Sequence, residues 1–335
     1  MKRISICIPT YNRAACLAEL LDSIATQISP EVEVVVSDDA SPDDTPAAAE
    51  ARRERIPGLT FIRQPRNIGL DRNFLAAVEA ASADYIWFMG DDDRLEPGAV
   101  QAVLAALDRW PGVVGLTLGV IDYAPDLSAP TGVREMPPTT LLRGSGAVFS
   151  QIPDLLGFMS SLVIDRRAWL RVCAADPVLD FANYYIQVYI LGRALGPDGA
   201  WGVLNAPCVA FRTSNDQFLS NLGWLKRLDV DVTAYEQIAA ALFPRQPDVR
   251  RAMRRRIFET HVLARLRNAK LAEGPTPQLG GAIALLFRHY RTTPKFWTSG
   301  LPTLVVPKWL IRRARDAYQR LSKSSGAWRA RRLTS

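Results

Sequence analysis

The run Tyr85-Ile86-Trp87-Phe88-Met89-Gly90-Asp91-Asp92-Asp93-Arg94-Leu95 constrains this chain more than any other. Its first five residues are apolar or aromatic, rich in β-formers and too few for a typical helix, and they read as a buried strand. Gly90 ends the strand and three consecutive carboxylates follow. In an open α/β sheet, ligands bind in the crevice beyond the carboxyl ends of the strands, so the acids fall where a site is expected. Adjacent carboxylates raise one another's pKa unless a cation or hydrogen-bond donors face them. A hard divalent ion, held by one or two carboxylates and phosphate oxygens, is the usual solution. The alternative is a solvated acidic turn before a helix whose first turn, Glu96-Pro97-Gly98, favours negative charge.

The flanking pattern alternates strand and helix. Residues 3–8 read as a strand ending at Pro9-Thr10-Tyr11-Asn12-Arg13, and helical spacing follows over 14–25 at Leu17, Leu20, Leu21 and Ile24. Residues 31–37 predict a second strand delivering Asp38-Asp39-Ala40-Ser41-Pro42-Asp43, with an alanine-rich helix over 46–55. A third strand over 59–63 and the turn Asn67-Ile68-Gly69-Leu70-Asp71-Arg72-Asn73 lead through a helix at 74–81 back to Tyr85. This order predicts an α/β fold: a mostly parallel, Rossmann-like sheet with right-handed crossovers and helices on both faces. Beyond the acids the pattern gives helices over 99–109, 167–174 and 184–195, and strands over 113–121, 160–164 and 203–212. Residues 122–146, rich in Pro, Thr and Gly, read as a loop over the site or as disorder.

Charge separates two regions. Residues 244–335 carry 21 Lys and Arg against 4 Asp and Glu, whereas residues 1–243 carry 20 against 30. From 219 onward the pattern is helical, amphipathic over 222–242 and 249–271, then alternately apolar and basic around Trp297, Trp309 and Trp328. Short apolar runs flanked by arginine and tryptophan fit helices lying in a membrane interface; an ordinary basic helical surface is the alternative. Two domains are therefore expected, 1–218 and a membrane-associating, helical, basic region 219–335. No run approaches the roughly 20 apolar residues of a membrane span. Pro9 breaks the first apolar run, which reads as a strand and not as a signal peptide. Cys7, Cys16, Cys173 and Cys208 lack zinc or disulfide spacing and fit a reducing compartment, and His261 and His289 are too isolated for a metal site.

Taken in order, Ile8-Pro9-Thr10-Tyr11-Asn12-Arg13, Ser37-Asp38-Asp39-Ala40-Ser41-Pro42-Asp43, Asn67-Ile68-Gly69 and Gly90-Asp91-Asp92-Asp93 resemble the family 2 glycosyltransferases of the GT-A fold. Residues 70–93 look most like the abequosyltransferase-type enzymes of bacterial O-antigen assembly. The resemblance covers residues 3–215 and none of the basic tail. It implies inverting transfer of a sugar from a nucleotide diphosphate sugar, with Mg2+ or Mn2+, to a polyprenyl-diphosphate-linked glycan. The enzyme would lie in the cytoplasm, peripheral on the inner face of the plasma membrane.

The resemblance also assigns residues. Pro9, Thr10, Tyr11 and Arg13 would meet the nucleotide, and Asp39 would accept a hydrogen bond from its base. Asp93 would hold the metal and Asp92 the ribose or the metal, with Asp91 beside them. Arg72 and Asn73, at a helix start, are positioned for nucleotide or phosphate, or lie on the surface. Arg212 is a phosphate donor or one half of a structural salt bridge. Many family members carry a Glu-Asp pair where this chain has Ala182-Asn183-Tyr184-Tyr185-Ile186, so the usual general base is missing. Asp180 is the substitute candidate, with Asp165 and Asp176 behind it. The rival reading is an inactive nucleotide-binding module with a basic nucleic-acid- or membrane-binding arm. The chain has no recognisable nucleic-acid motif, which counts against the nucleic-acid version.

Overall fold

Seven consecutive buried residues, Ile4–Thr10, form β1, a mostly apolar run that leaves neither face to water. In this computed structural model, residues 2–215, 223–272 and 278–313 are described. The further strands are β2 (Val32–Asp38), β3 (Thr60–Arg63), β4 (Tyr85–Phe88), β5 (Arg94–Leu95), β6 (Gly115–Tyr123), β7 (Pro130–Val133), β8 (Thr140–Arg143), β9 (Leu162–Asp165) and β10 (Ala200–Arg212). Their order across the sheet is β3-β2-β1-β4-β9-β6-β10-β5, with β7 added to β6 and β8 to β10. β3, β2, β1 and β4 are mutually parallel. β9 runs antiparallel between β4 and β6, so β6 and its parallel neighbour β10 point the same way as β4.

Alternation along β1 sorts the two faces. Ile4, Ile6 and Ile8 join Leu17, Leu20, Leu21 and Ile24 of helix Ala14–Ala25 in one core. On the opposite side, Cys7 donates its thiol to the Ala77 carbonyl of helix Leu70–Glu79, and Phe74 of that helix meets Phe88 edge-on at 5.0 Å. The fold is thus a sheet of mostly parallel strands flanked by helices, as expected. Because β1, β2 and β4 are parallel, their carboxyl ends gather at one edge of the sheet.

Several expectations need correction. Residues 122–146 hold β7, β8 and the start of helix Ser145–Gln151, because β7 and β8 hydrogen-bond to β6 and β10. The helix expected over 46–55 ends at Glu50, and the one expected from 74 begins at Leu70, straight after Gly69 at φ 85°. The chain forms two compact units, Met1–Gln217 with Ala234–Arg256, and Phe218–Thr233 with Ile257–Ser335. The expected boundary at 218/219 lies outside the described residues, as does Trp328. Residues 234–256 group with the first unit because Tyr235 packs on Tyr185 at 4.8 Å, Phe243 on Phe149 at 5.3 Å, and Arg256 Nε binds Asp154 at 3.0 Å.

The second unit has its own core, in which Leu228 and Val232 pack with Phe258, Val262, Leu266, Leu286, Tyr290 and Phe296. Buried Asp231 is neutralised inside it by Arg227 and Arg265, whose Nε lies 2.9 Å away. Among the described residues no helix is long and apolar enough to cross a membrane.

Candidate active site

The loops after β1 and β2 are tied to each other, and this aims the side chains that follow β1. The backbone N–H of Asn12, at φ 56°, donates to Ser41 Oγ at 2.8 Å, and the Ser41 N–H donates to Asp38 Oδ1 at 3.0 Å. Asp43 accepts the Ala14 N–H at 2.9 Å and so starts the helix there. From this platform the Thr10 hydroxyl donates to Asp91 Oδ2 at 2.7 Å. Arg13 places Nη1 2.5 Å from Asp92 Oδ2 and Nε 3.7 Å from Asp91 Oδ1. Burial lowers the Arg13 guanidinium, but Asp91 and Asp92 outweigh it and hold the pKa above the ordinary arginine value.

Asp93 is 2% exposed and is held from two other strands. Ser160, just before β9, donates its hydroxyl to Asp93 Oδ2 at 2.5 Å and accepts the Gly90 N–H at 2.9 Å. The Arg212 backbone N–H, at the end of β10, reaches Asp93 Oδ1 at 3.2 Å. Burial, then the charge of Asp92, pushes Asp93 up to about 8; Ser160, the Arg212 N–H and the positive charge of Arg134 oppose the rise. Burial and the charge of Asp92 likewise push Asp91 up, to about 7, against Arg13 and Thr10. Two carboxylates that resist ionisation beside a third describe a place that favours added positive charge.

The donor set fits a divalent cation in one particular way. Among the described residues no three His, Cys, Asp or Glu groups converge as a complete cage. Asp92 Oδ1 and Asp93 Oδ2 do flank one small volume, lying 3.3 and 3.2 Å from where a Cβ on Gly90 would sit. A magnesium-like ion bound by one or two carboxylates, and completed by phosphate oxygens and water, suits such a pair.

The other expected residues divide. Pro9 lies in β1 opposite Ser37 of β2, and Tyr11 is exposed at the same edge. Asp39 is buried, and its two oxygens accept the N–H groups of Ile68 at 2.6 Å and Gly69 at 3.0 Å; it closes the turn before Leu70 and keeps lone pairs for a further donor. Asn73 is spent on Ser37, accepting its hydroxyl at 2.6 Å and donating to its carbonyl at 2.8 Å, whereas Arg72 is exposed. Arg212 takes the structural option: Nε donates to the Asp92 carbonyl at 2.9 Å, Nη1 to the Pro125 carbonyl at 2.8 Å and Nη2 to Glu19 at 2.6 Å.

Of the candidate bases, Asp165 pairs with Tyr85 at the amino end of β4, because β9 runs antiparallel. The acids lie past the other end, and Asp165 caps the helix Arg166–Ala175 through the Ala168 N–H at 2.6 Å. Asp176 is bound to Arg193 and to the Tyr189 hydroxyl. Asp180 is exposed, in a short helical turn whose backbone carbonyl accepts the Gln237 amide at 3.0 Å.

Sequence reasoning missed Ser160, Arg134 and Glu19, which carry no motif. It passed over Asp71, whose Oδ2 accepts the Tyr184 N–H at 3.1 Å and whose Oδ1 is buried without a hydrogen bond among the described residues. Burial raises Asp71 to about 6 against the N–H groups of Tyr184 and Ile186. Asn215 donates to Asp92 Oδ2 at 2.8 Å, while its carbonyl accepts Arg13 Nη2 at 3.0 Å.

Comparison with known proteins gives this geometry a family. Residues 5–162 match the model of Glycosyl transferase family 2. Abequosyltransferase RfbV of Salmonella typhimurium is 28% identical over 273 residues, 74% of this chain and 78% of its own. The GalNAc(5)-diNAcBac-PP-undecaprenol beta-1,3-glucosyltransferase of Campylobacter jejuni is 30% identical over 105 residues, 31% of this chain, and the match spans about a third (34%) of that relative. Among solved structures, Staphylococcus aureus TarS in complex with UDP-GlcNAc superposes with a TM-score of 0.59 at 18% identity, over 89% of this chain and 92% of that one. The mannosyltransferase PcManGT from Pyrobaculum calidifontis, in complex with GDP-Man and Mn2+, gives 0.52 at 18% identity, over 90% of this chain and 85% of that one. At such identities the structures share the GT-A fold and nothing finer. With the motif order, the sheet and the acid cluster in agreement, residues 5–162 belong to Glycosyl transferase family 2.

Proposed function

We propose that the chain is an inverting, metal-dependent glycosyltransferase that moves a sugar from a nucleoside diphosphate donor to a lipid-linked glycan of a bacterial surface polysaccharide. One observation carries the reading: the carboxyl ends of β1 and β10 meet the segment after β4 at Asp91, Asp92 and Asp93, with Arg13 ion-paired to two of them. Asp92 and Asp93 would hold Mg2+ or Mn2+, which when bound neutralises negative charge on the departing diphosphate. Thr10 and Arg13 keep Asp91 and Asp92 oriented, and Arg13 adds fixed positive charge at the same edge. Asp39, at the floor of the turn over 67–69, meets the base, and exposed Tyr11 and Arg72 border the nucleotide. Arg212 and Ser160 position the acids and do not touch the donor.

The general base is assigned to Asp180, which is exposed and has no ion pair among the described residues, whereas Asp165 caps a helix beyond the other end of β4 and Asp176 is paired with Arg193. A lipid-linked acceptor is supported by the Campylobacter jejuni relative, whose name specifies a diphosphate-linked undecaprenol. Peripheral contact with an anionic membrane is supported by residues 278–313, which contain six Lys and Arg and no Asp or Glu. There Phe287 and Trp297 meet edge-on at 6.1 Å while 45% and 49% exposed. A Phe287→Ser/Trp297→Ser double variant should lose binding to anionic vesicles; unchanged binding sinks the membrane contact. Binding to nucleic acid in place of vesicles would favour the rival basic-arm reading.

The test of the transfer reading is release of nucleoside diphosphate from a panel of nucleotide sugars, with Mn2+ and membranes bearing lipid-linked glycans. Release from one donor, dependent on those membranes and absent in Asp92→Asn, supports it. No turnover with any donor overturns it.

A further inference from the structure

Arg134 follows β7 on the segment between β6 and β8, and its backbone N–H donates to the Val120 carbonyl at 3.0 Å, which fixes it at the end of that ladder. Its guanidinium carbon lies 4.0 Å from the ring centre of Phe158 and 4.2 Å from that of Phe211. The two rings stand perpendicular, at 89° and 5.2 Å, so the cation occupies the corner between them. Its Nε donates to Asp122 Oδ1 at 3.0 Å. Both terminal amino groups, Nη1 and Nη2, make no hydrogen bond to any described residue. The side chain is three-quarters buried between the two rings, so this pair of amino groups is held in place.

The cage is built from the segments that hold the acid cluster. Phe158 lies two residues before Ser160, and Phe211 immediately precedes Arg212; Ser160 and Arg212 are the two hydrogen-bond donors to Asp93. Aromatic walls and a carboxylate on Nε fix a guanidinium in place, and its unpaired amino edge matches two phosphate oxygens. A structural arginine would have used those amino groups on the protein, as Arg212 does.

We propose that Arg134 is a preorganised diphosphate-binding residue beside the acid cluster, reaching either the diphosphate of the nucleotide donor or that of a lipid-linked acceptor. The assignment rests on the transferase reading above. It gives the 122–146 segment a function: β7 exists to carry Arg134 to the site.

The experiment is calorimetric binding of inorganic pyrophosphate, of nucleoside diphosphates and of geranyl diphosphate, with Mn2+ held constant. It compares wild type, Arg134→Gln, Arg134→Lys and Phe158→Leu. Arg134→Gln should weaken pyrophosphate by roughly tenfold or more, Arg134→Lys should recover part of the loss, and Phe158→Leu should weaken binding while keeping the charge. A loss confined to the nucleoside diphosphate assigns Arg134 to the donor, and one confined to geranyl diphosphate to the acceptor. Unfolding curves of the ligand-free variants that match wild type separate this role from packing. If wild type binds nucleoside diphosphate and Arg134→Gln and Arg134→Lys both bind every probe equally well, Arg134 is not a ligand residue and the transferase reading stands. If wild type binds none of the probes, both fail together.

Discussion

Arg212 donates its backbone N–H to the Asp93 carboxylate and its Nε to the Asp92 carbonyl, so one residue of β10 fixes the acid loop that follows β4, three strands away in the sheet. The rest of its guanidinium is spent on Pro125 and Glu19. An arginine bonded in this way acts as a clamp on the site.

Removing the clamp should cost stability as well as activity. Arg212→Ala removes three hydrogen bonds made by a side chain that is itself buried, and urea unfolding should show a loss of roughly 2–4 kcal/mol. Arg212→Lys should recover little, because a single ammonium cannot reach the Asp92, Pro125 and Glu19 oxygens together. Stability equal to wild type in both variants would contradict the clamp.

Ligand-free stability should fall as pH rises above 5. Asp71, Asp91 and Asp93 are raised to about 6, about 7 and about 8, in each case chiefly by burial. Between an ordinary carboxylate pKa near 4 and those values the folded state binds more protons than the unfolded chain, so their stabilising contribution is full below about 4 and is lost as pH rises towards 8. The carboxylates held below their ordinary value, such as Asp22 and Glu33, act only at lower pH. Tm should therefore fall from pH 5 to pH 8, and Asp71→Asn should flatten the part of the fall below about pH 6. Mn2+ should raise Tm more at pH 8 than at pH 5, since it favours the ionised acids. A Tm that rises through this interval would refute the assignment.

Gly90→Ala places a methyl 3.2 to 3.3 Å from Asp93 Oδ2, Ser160 Oγ and Asp92 Oδ1. All three are functional oxygens, so the strain falls on the site and not on the core. Turnover should drop roughly tenfold or more while Tm changes little, because small displacements of catalytic groups are costly. A large loss of Tm with activity per folded molecule intact would show the opposite.

Asn73 and Arg72 are adjacent and should behave differently. Asn73→Ala breaks both links to Ser37 and should cost about 1–2 kcal/mol in urea unfolding, with nucleotide affinity retained. Exposed Arg72→Ala should leave stability unchanged and weaken nucleotide binding. Equal affinity in Arg72→Ala removes it from the site.

The parallel half of the sheet and the acid cluster were legible in the sequence because each strand is a short apolar run closed by a polar motif. Helices Ala14–Ala25 and Ala99–Arg109 sit where their leucine and valine spacing puts them. What failed to show was everything that depends on pairing between distant segments. β5 is two residues long and exists only because it pairs with β10, and β7 is fully exposed, with no apolar alternation to betray it. The antiparallel direction of β9 has no local signal, yet it decides that Asp165 lies at the wrong end of the sheet. Ser160 carries no motif, and only the turn before β9 brings it to Asp93; Asp71 stood inside a motif without being singled out.

The most direct measurement is thermal unfolding of wild type and Asp93→Asn with UDP, CDP, GDP and dTDP, each with and without Mn2+. A ligand stabilises the native state only if it binds it. One of these nucleotides should raise Tm only when Mn2+ is present, and Asp93→Asn should lose the shift. A Tm unmoved by every nucleotide with Mn2+, or an equal shift in Asp93→Asn, would contradict this.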